Sequence, residues 1–85
     1  MEKGGEEVFV GIDVSKDTLA VRLLPTGTCM DFSNREDGLS SMVDSIEKLS
    51  PALVILEATG GLETAAVAMI AERGLCYDAF SGHQS

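Results

Sequence analysis

Cysteine is scarce in this sequence, and its placement excludes two kinds of site. The only cysteines, Cys29 and Cys76, lie far apart and have no further cysteine or histidine at metal-ligand spacing. A zinc site needs clustered thiolate and imidazole ligands, and a disulfide framework needs several spaced cysteines, so neither is predicted. We expect two reduced thiols that pack as small hydrophobic side chains.

Basic residues are also few. The sequence contains 6 lysine and arginine residues against 14 aspartate and glutamate residues, which gives a formal net charge of −8 at pH 7. A stand-alone nucleic-acid-binding domain should be basic, because neutralisation of phosphates supplies most of its affinity. The composition argues against such a domain by itself, whereas a divalent cation held by carboxylates is compatible with an acidic chain.

Long hydrophobic runs and the pattern of a signal peptide are absent as well. No apolar run approaches the roughly 20 residues that a membrane helix needs, and residues 1–7 are polar and acidic. We therefore expect a cytoplasmic chain without membrane contact, in which residues 1–7 form a disordered lead-in. The chain has 85 residues, of which 45% are hydrophobic and 24% charged. Those values predict one small folded domain over residues 8–80, followed by a tail at 81–85.

Three strands are predicted in the first part of the chain. Residues 8–14 form an apolar run with one acid, which is typical of a strand buried on both faces. Residues 18–24 alternate between two faces, and the residues opposite the apolar row of leucine and valine are Ala20, Arg22 and Leu24. A third short strand follows at 28–33. Because short turns link these segments, we expect them to be antiparallel neighbours.

The period then changes to that of helices alternating with strands. A helical stripe consists of Leu39, Met42, Val43, Ile46 and Leu49. Asn34 or Asp37 could cap the start of this helix, which a buried strand at 53–56 follows. A second helix covers 62–73 with Gly74 as its C-terminal cap, and a fifth strand covers 75–80. The order β-β-β-α-β-α-β predicts an α/β fold with a mixed sheet, and it is the opening order of the ribonuclease H-like fold.

Two acids stand out because each lies at the end of a buried strand. Asp13 ends the first strand, and Glu57 ends the strand at 53–56. If these strands are parallel neighbours, their carboxyl ends meet at one edge of the sheet, roughly 4.8 Å apart. Both carboxylates could then converge on one Mg²⁺ or Mn²⁺ ion. A single acid after a strand is commonly only a turn former or a helix cap, so the prediction depends on the pair.

Several motifs in this order resemble a known family. They are Gly-Ile-Asp-Val-Ser-Lys at residues 11–16, Phe-Ser-Asn at 32–34 with Gly38 following, and Glu-Ala-Thr-Gly-Gly at 57–61. Together they resemble the N-terminal domain of DEDD-type insertion-sequence transposases, which are related to pilin-gene invertases. The resemblance runs from about Val8 to Phe80, nearly the whole chain.

The resemblance implies a RuvC-like, ribonuclease H-like domain with four metal-binding acids in the order Asp, Glu, Asp, Asp. Asp13 matches the first acid and Glu57 the second, and both are expected to bind the metal and act in catalysis. Asp78 does not match the third, so the last two are expected in a later Asp-rich segment that this chain does not reach. The domain is then incomplete here.

The implied activity of the full-length protein is metal-dependent DNA transposition or site-specific recombination, with DNA as partner and Mg²⁺ (or Mn²⁺) as cofactor. Some members of the family are guided by a structured RNA. With two of the four acids, we expect this chain to bind metal weakly and to be inactive alone.

Two other interpretations remain open. An actin-like ATPase or sugar-kinase half-domain also opens with a strand ending in Gly-Ile-Asp, although residues 14–17 replace the usual phosphate loop. The chain could instead be a non-catalytic assembly module that forms a homo-oligomer through an open sheet edge.

Overall fold

The computed structural model describes residues 7–58 and 60–81, with only the backbone of Ser81. Most of the predicted lead-in (1–6), Thr59 and the predicted tail beyond Ser81 lie outside the described residues. The elements are β1 (Phe9–Val14), β2 (Thr18–Leu24), β3 (Cys29–Ser33), α1 (Glu36–Lys48), β4 (Leu53–Ala58), α2 (Thr64–Glu72) and β5 (Tyr77–Ser81). The predicted order of strands and helices is confirmed.

The strands form one mixed sheet in the order β3-β2-β1-β4-β5. β2 pairs antiparallel with both β1 and β3, as their short connecting turns require. β4 pairs parallel with β1 on one side and with β5 on the other. The chain enters β4 from α1 and β5 from α2. Buried residues of both helices share one core with alternate residues of the strands, so α1 and α2 lie on the same face of the sheet.

The hydrophobic core lies between that face and the two helices. The sheet contributes alternate residues of its strands, and α1 contributes four apolar residues of the predicted stripe. The buried set is Val10, Ile12, Val14, Leu19, Val21, Leu39, Met42, Val43, Ile46, Val54, Leu56, Ala58, Ala66 and Ile70. Burial of each large aliphatic side chain stabilises the fold by roughly 1.5–3 kcal/mol.

The prediction that β1 is buried on both faces is wrong. Val10, Ile12 and Val14 are buried, whereas Phe9 and Asp13 are exposed and Gly11 is half-buried. The physical reason is that both crossover helices lie on one face, so the described residues place no helix over the other. We call this other side the open face of the sheet.

The start of α1 also differs from the prediction that Asn34 or Asp37 caps it. Arg35 is the N-cap residue, and no side chain among the described residues caps the helix by a hydrogen bond. The Nδ2 of Asn34 instead donates to the backbone oxygen of Ser15 at 2.7 Å. The amide of Gly38 donates to Oδ1 of Asp37 at 2.9 Å. Asn34 therefore holds the turn that follows Asp13.

Gly38 lies where the first turn of α1 meets the end of β3. A Cβ at this position would overlap the carbonyl oxygen and the Oγ of Ser33. The glycine is therefore required by close packing, and it lets α1 approach the backbone of the strand directly.

The end of α2 is as predicted. Gly74 follows the C-cap residue Arg73 and has a φ of +72°, a left-handed conformation that glycine adopts without strain. Nη1 of Arg73 contacts Asp44 Oδ1 at 2.9 Å and Glu47 Oε1 at 2.6 Å. Hydrogen bonds to Asp44 and Glu47 raise the pKa of Arg73. This ion-pair cluster joins the end of α2 to the exposed side of α1.

The expected packing of the cysteines is wrong in one respect. Both are free thiols, but Cys29 and Cys76 are exposed rather than packed in the core. Cys29 alternates with Met30, which packs against the core, so its side chain falls on the open face. In the described part of the chain, no helix is long and apolar enough to cross a membrane.

Candidate functional site

Asp13 and Glu57 are direct neighbours on the open face. β1 and β4 are parallel, and the register pairs Asp13 with Glu57. Paired residues of neighbouring strands project from the same face of a sheet, roughly 4.8 Å apart along the hydrogen-bonding direction. The sheet therefore brings together the two acids singled out in the sequence.

Period-two alternation explains why both acids avoid the core. In β1 the core residues Ile12 and Val14 flank Asp13, and in β4 the core residues Leu56 and Ala58 flank Glu57. Each acid sits between two buried residues, so its side chain must point away from the helices. Both acids are exposed, and a charged carboxylate stays in contact with water there.

A third acid lies two strands away in the same row. Asp13 pairs with Ala20 of β2, and Ala20 pairs with Asp31 of β3. On the other side Glu57 pairs with Phe80 of β5, whose exposed fraction of 52% is the largest among the bulky hydrophobic residues that the structure describes. The row across the open face is thus acidic on both sides of Ala20 and apolar at β5.

An open cavity of about 540 Å³ lies over the centre of this face. Asp13, Glu57 and Asp31 line it together with Arg22 and Cys29, and Gly11 and Ile55 also contribute to its lining. Small residues keep the centre open, because Gly11 and Ala20 stand between the larger side chains. Three of the residues that line the cavity are acids, and one is an arginine.

The donor set of this cavity fits a hard divalent cation. Mg²⁺ is commonly held by one or two carboxylates and keeps several of its waters, which suits two exposed acids at adjacent register positions. Within residues 7–58 and 60–80, no group of three or more histidine, cysteine or acidic side chains is placed to hold a metal. Asp13 and Glu57 would therefore hold the ion by themselves, which predicts weak affinity.

Sequence reasoning missed Arg22, Asp31 and Cys29 as residues of this cavity. Their alternation with buried or half-buried neighbours was visible, and for Arg22 it was read correctly as the face opposite the apolar row of β2. What was not visible was the register of the β1–β2–β3 hairpins, which pairs Arg22 with Gly11 and with Cys29. The register would have followed from the exact lengths of the two hairpin turns.

Comparison with known proteins gives a fold and no family. No family model and no curated protein matches the sequence. Among solved structures, the chain is similar to RuvC of T. thermophilus, determined in complex with a Holliday junction substrate, with a TM-score of 0.64 and 15% sequence identity. The similarity covers 91% of this chain and 66% of the RuvC chain, so about a third of that chain has no counterpart here. The fold is RuvC-like, as predicted.

Proposed function

We propose that this chain is the N-terminal part of the catalytic domain of a DNA transposase or site-specific recombinase that acts by metal-dependent phosphoryl transfer. Asp13 and Glu57 are the first two acids of its metal site. The observation that carries the proposal is their pairing on adjacent parallel strands, on the open face of a RuvC-like sheet. The motifs at 11–16 and 57–61, which contain these acids, resemble those of DEDD-type transposases.

A bound Mg²⁺ or Mn²⁺ would supply charge neutralisation and the polarisation of a phosphate oxygen or a water. The contribution of this chain is to hold the ion through the Asp13 and Glu57 carboxylates, and to keep it at a cavity that a phosphodiester can enter. The RuvC structure holds a Holliday junction, and this chain takes the same class of ligand, DNA, in the proposal.

The charge of the open face supports a role for metal in binding as well as in chemistry. Three acids line the cavity against one arginine, and the whole chain carries a net charge of −8. A polyanion is repelled by such a surface unless cations neutralise it. DNA contact through this face should therefore require a divalent cation, the opposite of the simple salt weakening seen for basic domains.

Two carboxylates are expected to be too few for strand cleavage and joining. The family that the motifs resemble uses four acids, and Asp78 does not match the third of them by motif. We therefore propose that this chain alone is inactive, and that the complete recombinase requires further acids. Guidance by RNA, which some members of the resembled family use, is a further proposal. Assembly into a homo-oligomer through an open sheet edge is a separate one.

A binding assay tests the proposal directly. Fluorescence anisotropy of a labelled four-way DNA junction is measured against the purified chain, in EDTA and in Mg²⁺ or Mn²⁺. We expect binding with the divalent cation and weakening of about tenfold in Asp13→Asn and in Glu57→Gln, which corresponds to a loss of about 1.4 kcal/mol. Glu7→Gln is the control, because it removes the same charge from an exposed residue before β1.

Two outcomes would overturn the proposal. One is equal DNA binding in EDTA and in Mg²⁺, and the other is equal DNA affinity of Asp13→Asn and Glu7→Gln.

The same samples are then incubated with Mn²⁺ and analysed on denaturing gels, where the DNA strands should stay intact. Cleavage that disappears in Asp13→Asn would refute the inactivity of the chain while supporting the metal site. Thermal stabilisation by ATP, and none by DNA with metal, would favour the actin-like alternative.

A further inference from the structure

Gly11 lies in the middle of β1, where neither a backbone angle nor a close contact of the fold requires glycine. It is a regular strand residue without a positive φ, and a Cβ built on it would meet nothing within 4 Å. Glycine in the interior of a strand is destabilising, because it loses more conformational freedom on folding than other residues. Here neither backbone geometry nor packing requires it, in contrast to Gly38. A glycine of this kind commonly marks a place where a ligand approaches the backbone closely.

Arg22 stands directly beside this bare stretch of backbone. The register pairs Arg22 with Gly11, and both residues line the cavity that contains Asp13 and Glu57. Arg22 is exposed, and it forms no ion pair with an acid of the described residues, whereas Arg73 is held by Asp44 and Glu47. A guanidinium presents a planar fork of donors that matches the oxygens of a phosphate.

We propose that Gly11 and Arg22 form a phosphodiester subsite next to the carboxylate pair. The sugar-phosphate backbone of a nucleic acid lies over Gly11, and Arg22 donates hydrogen bonds to the non-bridging oxygens of one phosphate. Asp13 is two residues further along β1, roughly 7 Å away, so one strand can contact both Arg22 and a cation held by the carboxylates. Arg22 is a positioning residue in this arrangement. The subsite rests on the proposed function for the identity of its ligand.

NMR titration of the isotope-labelled chain with the dinucleotide d(TpT), the smallest DNA phosphodiester, tests the subsite. In Mg²⁺ we expect chemical-shift changes centred on the Gly11 amide and the Arg22 Nε–H. Arg22→Gln should weaken the affinity about tenfold, the loss expected for a charge-assisted hydrogen bond. Arg22→Lys should retain part of it. Arg35→Gln is the matched control, because Arg35 is an exposed arginine outside the cavity.

Variants of Gly11 separate a binding role from a structural one. Gly11→Ala and the bulkier Gly11→Val place a side chain on the cavity floor, so affinity for d(TpT) should fall in that order. The melting temperature should stay equal or rise, because the added Cβ has free space and suits a strand. If only the fold required glycine at this position, the variants would have a lower melting temperature and an unchanged affinity for d(TpT). Unchanged affinity in Gly11→Val, or in Arg22→Gln relative to Arg35→Gln, would overturn the proposal.

Two further arms identify the ligand and keep the two proposals distinguishable. Inorganic phosphate should bind more weakly than d(TpT), and equal or tighter binding of phosphate would replace the nucleic-acid ligand by a free anion. In Asp13→Asn with Mg²⁺ present, d(TpT) should still shift the Arg22 resonance at higher concentration, because Arg22 itself is intact. Persistence of that shift while Mn²⁺ fails to bind the parent chain would leave the subsite standing and refute the metal site. Metal binding by the parent without any effect of d(TpT) would support the metal site and refute the subsite.

Discussion

Neutralisation of Glu57 should make the metal-free protein more stable. Asp13 and Glu57 are direct register partners in the parallel β1–β4 pair, and both are exposed. Two like charges roughly 5 Å apart repel by about 0.8 kcal/mol in a water-like dielectric, and salt at physiological strength reduces that figure. Glu57→Gln keeps the shape of the side chain and removes the charge. We therefore expect a gain of about 0.5–1 kcal/mol in the free energy of unfolding at low ionic strength.

The assay is thermal and urea unfolding in EDTA, followed by the same measurement in Mg²⁺ or Mn²⁺. For a domain of this size, a gain of 1 kcal/mol raises the melting temperature by about 4–8 °C. In the divalent cation the order should invert, because the parent binds the ion through both carboxylates and the variant has lost one. Relative to the parent, Glu57→Gln should thus be more stable in EDTA and less stable in the divalent cation.

Glu7→Gln serves again as the control for the change in net charge. It should show little change in EDTA and the same stabilisation by the divalent cation as the parent. The reasoning would be refuted if Glu57→Gln were no more stable than Glu7→Gln in EDTA, or if the cation stabilised both variants equally. The first result would mean that the two carboxylates do not repel each other, and the second that they do not share an ion.

Three other predictions concern the frame around the site. Gly38→Ala should lower the free energy of unfolding by about 1–3 kcal/mol in urea titrations, because its Cβ would overlap Ser33; an unchanged midpoint would contradict the packing. Asn34→Ala should cost about 1 kcal/mol by releasing the oxygen of Ser15, and hydrogen exchange should increase in the turn after Asp13. Arg73→Met should lower the melting temperature, more so at low salt. Because the pKa of Arg73 is raised, its contribution is fully present below the ordinary pKa of arginine and lost only above the raised value, so the effect should stay constant across neutral and mildly alkaline pH.

The sequence was sufficient to predict the order of elements and the position of the two acids. Local periodicity is strong where one face of an element is buried. The stripe from Leu39 to Ile46 therefore predicted α1 correctly, and the alternation of residues 18–24 predicted β2. Parallel pairing of the strands that end in Asp13 and Glu57 followed from the helical crossover between them. Those acids were consequently expected on one edge of the sheet before their register was known.

What could not be predicted depends on tertiary contacts between distant segments. The apolar run of β1 looked like a strand covered on both faces, but the described helices cover one face only, and Phe9 remains exposed. Asn34 had the side chain of a helix cap, yet it hydrogen-bonds across to Ser15, nineteen positions earlier. Arg22 became a cavity residue only through the register of the hairpin. Each outcome is set by the packing of segments that the local pattern does not contain.

Paramagnetic broadening by Mn²⁺ tests the central claim most directly, because the ion itself reports its place on the chain. Substoichiometric Mn²⁺ is added to the labelled chain, and the loss of amide signals is mapped by residue. We predict broadening centred on residues 11–14 and 55–58, which disappears in Asp13→Asn and persists in Glu7→Gln. Broadening that centres instead on the acidic surface of α1 around Asp44 and Glu47, or that is unchanged in Asp13→Asn, would contradict a cation held between Asp13 and Glu57.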